Sequence, residues 1–290
     1  MNPITTLILS LFWVFESIST PLGYYTGERL STSSLQALAT AVKPGSVVVI
    51  GEPHDNKMAQ QGQLEIMKAL RAQGHTVSVG MEFISYPDQA TLDEYRSGTL
   101  AEAEFLKKIG WGNNYDVYRD QILFPMLVEG ARTIAINAPR YLTTKIRKTG
   151  FQSLTADEMA LLPPDYQGGN DSYRERFAIA AGHHLTPASF EGYFNAQSVW
   201  DDTMAWKTAE FLKANPTHVF VIVVGQFHAE YGGGLPDRLK ARGVTSVLTV
   251  SQVDHSIYSD EELETELMPH SKFGPRADYQ IGRASCRERV

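Results

Sequence analysis

Apolar runs rich in β-branched residues alternate along the chain with segments whose apolar positions recur every three to four residues. That alternation predicts a parallel sheet covered by helices. The first run, Ser46 to Ile50 (SVVVI), is entered through Lys43-Pro44-Gly45 and left at Gly51, and reads as a strand buried on both faces. Met58, Leu64, Met67 and Leu70 then place a helix over 58–72, ended by Gly74. Thr76 to Phe83 is the second predicted strand. Helices are expected over 87–95 and 100–109 around Gly98, and over 118–130 closed by Gly130. Arg132 to Asn137 is the third strand, Val219 to Val224 (VFVIVV) the fourth and Ser246 to Val250 the fifth. Between them, Phe194 to Leu212 carries a helical pattern. The stretch from Tyr141 to Asn195 is less periodic, with Pro163-Pro164 and Gly168-Gly169 marking loops, and is expected to be a helical insertion.

The expected fold class is therefore α/β: a three-layer α/β/α domain over residues 23–280, with a mainly parallel sheet of about five strands and an insertion at about 141–195. The ends are read separately. Ile4 to Phe15 is an apolar run too short for the roughly 20 residues a membrane-spanning helix needs, so no transmembrane span is expected. Residues 1–22 are either a signal segment, which the Ser17-Ile18-Ser19 triplet favours, or an N-terminal helix. No Lys or Arg precedes Arg29, so the basic stretch of a signal segment is missing. Export is the favoured reading. The last ten residues, IGRASCRERV, resemble a translated sequencing adapter and are read as a non-native tail.

Composition narrows the chemistry. At 290 residues, 43% hydrophobic and 20% charged, the chain can bury a sizeable core, which excludes a disordered class. Its 33 acidic residues outnumber 26 basic ones, giving a net charge of -7 without a basic cluster, so a nucleic-acid partner is not expected. Cys286 is the single cysteine; a disulfide framework, a cysteine zinc site and an N-terminal lipid anchor are all unsupported.

Nucleotide-binding loops, serine-hydrolase elbows and the HExxH helix are absent. The ionisable residues instead fall at the ends of strands. Glu52 and His54 follow the first (GEPHDN), Glu82 closes the second (GMEF), Asn137 the third (INAP), and His228 follows the fourth (GQFH). The carboxyl edge of a parallel sheet is where loops diverge into a crevice, so these side chains are expected to share one cleft. Carboxylates held together repel unless a cation lies between them or the imidazoles are charged. On the helix after the insertion, Gln197, Asp201 and Met204 share a face beside Trp200. Ordinary core packing accounts for that face; the alternative is that Gln197 or Asp201 reaches the same cleft.

In order and spacing these words resemble the ChaN family of haem-binding uptake proteins, within the Tiki and erythromycin-esterase-like superfamily. The resemblance starts near Gly27 and runs through GEPHDN, Gln63, GMEF with Gln89 and Tyr95, INAP and QSVWDDTMAW to GQFHAEYGGGLPDRL at 225–239. It implies an α/β/α protein of the bacterial envelope, with a periplasmic placement, that serves iron or haem uptake, with haem bound at a homodimer interface through a tyrosine. Tyr231 is the expected iron ligand, with Tyr115 and Tyr118 as alternates, and Asn137, Gln63 and Asp201 as further haem-site residues. The same resemblance implies an alternative, a metal-dependent hydrolase of peptidase or esterase type. Glu52, His54, Glu82 and His228 would then hold Zn or Mn, or one imidazole would act as general base. A third reading is an inert scaffold whose cleft binds a small ligand or partner.

Overall fold

The computed structural model describes residues 22–27, 32–253 and 258–283. Eight strands form one sheet: β1 (Leu22–Thr26), β2 (Thr32–Ser33), β3 (Val47–Glu52), β4 (Val77–Ser85), β5 (Thr133–Asn137), β6 (Val219–Gly225), β7 (Val247–Gln252) and β8 (Tyr279–Arg283). Their spatial order is β2-β1-β8-β7-β3-β6-β4-β5. The run from β8 to β5 is parallel throughout, whereas β1 pairs antiparallel with both β8 and β2. All five expected strands are present and parallel. Three more, β1, β2 and β8, extend the sheet on one side, and β8 carries Ile281–Arg283, the first residues of the segment read as a tail. Residues 284–290, and the apolar run at 4–15, lie outside the described residues.

Twelve helices connect the strands: α1 (Leu35–Ala41), α2 (Lys57–Ala72), α3 (Gln89–Arg96), α4 (Glu102–Ile109), α5 (Tyr115–Leu123), α6 (Arg140–Thr149), α7 (Ala156–Met159), α8 (Asp171–Ala181), α9 (Pro187–Ala214), α10 (Gln226–Ala229), α11 (Leu235–Ala241) and α12 (Asp260–Leu267). None of them is long and apolar enough to cross a membrane among the described residues.

The pleat explains the three layers. Successive strand side chains point to opposite faces. Val48, Ile50, Val79, Met81, Val221 and Val223 pack on one face with Ile66, Met67 and Leu70 of α2 and Tyr118 and Ile122 of α5. Val47, Val49, Phe220, Ile222 and Val224 pack on the other with Met204, Ala205 and Phe211 of α9 and Leu235 and Leu239 of α11. Strands buried on both sides read as unbroken apolar runs, which is the pattern SVVVI and VFVIVV display. The insertion contributes α6, α7, α8 and the start of α9; Leu142, Ile146 and Leu162 pack on Val199 of α9 in a smaller core. It also brings α8 over the carboxyl edge of the sheet, where the cleft lies.

Candidate functional site

A cavity of about 950 Å³ opens at the carboxyl ends of β3, β4, β5 and β6. Glu52, His54, Glu82, Asn137 and His228 all line it, as the strand-end placement predicts, and Gln197 lines it from α9. Two aromatic groups complete the wall. Phe83, Ile109 and Trp111 come from β4 and the α4–α5 connection, and Phe177, Leu185, Trp200 and Phe227 from the insertion, α9 and α10. Phe83 stands 5.3 Å from the His54 ring and 5.5 Å from Trp111, centroid to centroid.

The β3 corner is built around Glu52, which is 1% exposed. A buried carboxylate is tolerated only when its oxygens are bonded. The Tyr118 hydroxyl donates to Oε1 at 2.6 Å and the Gln63 amide donates to Oε2 at 3.2 Å. Gln121 donates in turn to Gln63 Oε1 at 2.7 Å. His54 Nδ1 lies 3.0 Å from Glu52 Oε1. That hydrogen bond raises the His54 pKa; burial opposes the rise and the nearby Glu82 adds to it. The His54 side chain keeps 48% of its surface exposed, so the imidazole is anchored from below and open to the cavity.

The β6 corner is closed. His228, 5% exposed, has Nδ1 at 2.7 Å from Asp201 Oδ1 and Nε2 at 3.4 Å from Glu82 Oε1. Burial alone would lower its pKa, but Asp201 and Glu82 together push it up to about 10, so His228 is an imidazolium between two carboxylates. Burial likewise works against ionisation of Glu82; His228, His54 and the Gly225 N–H, which donates to Glu82 Oε2 at 2.6 Å, overcome it and hold the carboxyl below its usual range. Asp201 takes a further hydrogen bond from the Tyr173 hydroxyl of α8, and burial and that carboxylate raise the phenol well above its ordinary value. Gln197 lays its amide 3.1 Å from His228 Nδ1. Gly225 leaves room for both corners: a Cβ there would fall 2.9 Å from Cε1 and Nε2 of His54.

Asn137 is a turn residue as well as a lining residue. Its amide donates to the Glu82 carbonyl at 2.8 Å and its Oδ1 accepts from the Ala138 N–H at 2.8 Å, fixing the β4 and β5 ends together. Gln63 and Asp201 sit behind the lining, supporting Glu52 and His228, and do not line the cavity themselves.

The structure places one expected ligand away from the cleft. Tyr231 does not line the cavity. It adopts a left-handed backbone (φ 56°), its N–H donates to the Arg276 carbonyl, and its ring lies among His270, Phe273, Arg176 and Arg276. Adjacency to His228 in sequence misleads because the short α10 ends between them and the chain turns away. The alternates Tyr115 and Tyr118 are buried, donating to Tyr95 and Glu52. The four residues expected to hold a metal under the alternative reading do share the cavity. Glu52, His54, Glu82 and His228 meet as two hydrogen-bonded pairs, and among the described residues no group of three or more such side chains is arranged to hold a metal ion.

Trp111, Phe177, His184 and Arg140 line the cavity without having been marked by the sequence. The aromatic residues of the insertion, Phe177, Phe190 and Phe194, pack on one another, and that repeated aromatic spacing was the available signal.

Comparison with known proteins now bears on this arrangement. No curated relative matches the chain. Among solved structures, one of ChaN from Campylobacter jejuni, described as showing cofacial haem binding, superposes with a TM-score of 0.66 at 17% identity, covering 91% of this chain and 97% of that one. The type III effector HopBA1 gives 0.48 at 13% identity over 92% and 98% of the two chains, and an open-form mutant of the erythromycin esterase EreC gives 0.47 at 12% over 80% and 77%. The first of these shows the ChaN-like fold. The family model for haem-binding uptake, Tiki superfamily, ChaN, matches residues 38–239, more than two thirds of the sequence, and this chain belongs to that family.

Proposed function

We propose that this protein binds haem in the carboxyl-edge cavity, as part of iron or haem uptake outside the cytoplasm. The observation that carries the reading is a large cavity whose walls are aromatic and whose floor presents an open imidazole. Its volume lies in the range of small-molecule pockets, about 300–1,000 Å³. A flat macrocycle asks for apolar walls and an iron ligand. Phe83 and Trp111, with Phe177 and Phe227, supply the walls.

Among the described residues no tyrosine, methionine or cysteine lines the cavity, so its candidate ligands are imidazoles, His54 on the floor and His184 on the rim. His54 has the support that ligating histidines have elsewhere: one ring nitrogen held by a carboxylate, here Glu52, which is fixed by Tyr118 and Gln63. Glu82 and His228 hold the adjoining strand ends in place. Bound iron-porphyrin would supply the iron chemistry; these residues supply its seat.

The test is a haemin titration of the full chain followed at the Soret band, repeated with His54→Ala and with Tyr231→Phe. Saturable binding that weakens at least tenfold in His54→Ala and is unchanged in Tyr231→Phe is the expected result. The absence of saturable binding overturns the haem reading, and loss in Tyr231→Phe alone moves the ligand away from this cavity. A sedimentation run with and without haemin tests the homodimer that the family resemblance implies.

A further inference from the structure

We infer that Arg140 anchors the carboxylate edge of an amphiphilic ligand at the rim of the cavity, so that the ligand enters with its apolar edge toward the floor. The inference rests on the haem reading and adds the ligand's orientation and the chemical feature by which it is chosen.

The argument is one of charge distribution. At the floor, the carboxylates of Glu52, Glu82 and Asp201 outnumber the imidazoles of His54 and His228. Each of these groups is already committed to a partner. A ligand carboxylate pushed against that floor would add a further negative charge beside these carboxylates in a partly buried place, a costly position. The rim differs. Arg140, the first residue of α6, is the only lysine or arginine among the described residues that lines the cavity. It is exposed, and its guanidinium has no ion-pair or hydrogen-bond partner among the described residues. Arg176, which reaches toward this region, is occupied: it donates to the Phe227 carbonyl. A planar guanidinium presents a fork of donors that matches a carboxylate bidentately. Between rim and floor the lining is aromatic, suited to the apolar body of the same molecule. The cavity thus has a polarity, with an uncommitted cation outside and a committed acidic network inside. Haem has the complementary polarity, with two propionates on one edge and an apolar opposite edge.

The experiment compares haemin with its dimethyl ester, which keeps the iron and the macrocycle and removes both negative charges. Each is titrated into the full chain and into Arg140→Gln and Arg140→Lys. The expected result is that the unaltered chain prefers the diacid at least tenfold, that Arg140→Gln removes most of this preference by weakening the diacid about tenfold while leaving the ester unchanged, and that Arg140→Lys restores part of it. The preference should shrink with added salt, as an exposed ion pair does. Equal binding of diacid and ester to the unaltered chain overturns the inference and leaves the haem reading standing. Equal weakening of both ligands in Arg140→Gln also overturns it, because loss of a carboxylate anchor cannot touch the ester. If neither ligand binds the unaltered chain, both readings fall. Arg140 holds no other residue, so unchanged thermal unfolding of the variants is expected and checks that the fold is intact.

Discussion

The two corners of the cavity use the same chemical parts and reach opposite states. At the β3 corner His54 rests on one buried carboxylate and keeps half its surface open. At the β6 corner His228 is closed in by Asp201, Glu82 and the Gln197 amide. The difference teaches that a histidine beside a carboxylate has no fixed role. Enclosure between two carboxylates makes His228 a charged strut joining β4, β6 and α9, whereas single-sided support makes His54 an oriented group with a free face. The first should show itself in stability and the second in ligand binding.

The largest effect is expected from His228→Ala, which leaves Asp201 and Glu82 buried without their shared cation. Loss of one partner from a buried ionic cluster costs about 3–5 kcal/mol, read as a lowered midpoint in urea unfolding. A pH series sharpens the point. His228 has its folded pKa raised from 6.5 to about 10, so its contribution is fully present below the unfolded value and is lost as pH rises through the folded one. The unaltered chain should lose stability between about pH 6.5 and pH 10, and His228→Ala should lack that slope; a slope that persists in the variant assigns it to another group.

Next is Tyr173→Phe, which removes a donor to buried Asp201 and should cost about 1.5–3 kcal/mol, with the cavity still able to bind haemin. Gly225→Ala crosses between the corners. Its Cβ would press on the His54 ring, so a stability loss of about 1–3 kcal/mol should come with weakened haemin binding. The smallest stability change is expected for His54→Ala, about 1 kcal/mol, since Glu52 keeps its bonds to Tyr118 and Gln63. A calorimetric scan of His54→Ala that shows a loss as large as that of His228→Ala would erase the distinction between the corners.

Much of this was readable along the chain, for reasons that differ by element. The parallel strands stand out because burial on both faces removes polar residues, as in Val47–Glu52 and Val219–Gly225. The floor residues stand out because a glutamate or histidine directly after such a run has few places to go except the carboxyl edge. The added strands did not stand out. Tyr24 is buried and its neighbour Tyr25 only partly so, and β2 is two residues long, so neither gives a run to detect. The aromatic wall from α8 and the rim arginine were hidden for another reason: their place depends on how the insertion folds back over the sheet, a long-range contact that local periodicity does not encode. Tyr231 shows the same limit at short range, where one left-handed residue redirects the chain.

The position of β8 between β1 and β7 has a consequence for the order of assembly. Its two neighbours come from opposite ends of the described chain, β1 with Tyr24 against Ile281 and β7 with Gln252 against the same Ile281. During synthesis, β7 therefore waits with an open hydrogen-bonding edge, and the β1–β2 pair has no sheet to join, until the last strand emerges. Such an edge is a template for pairing with other chains. Closure over so long a loop is slow. The nascent protein thus carries an open edge at the side of the sheet remote from β5 until β8 pairs with β7.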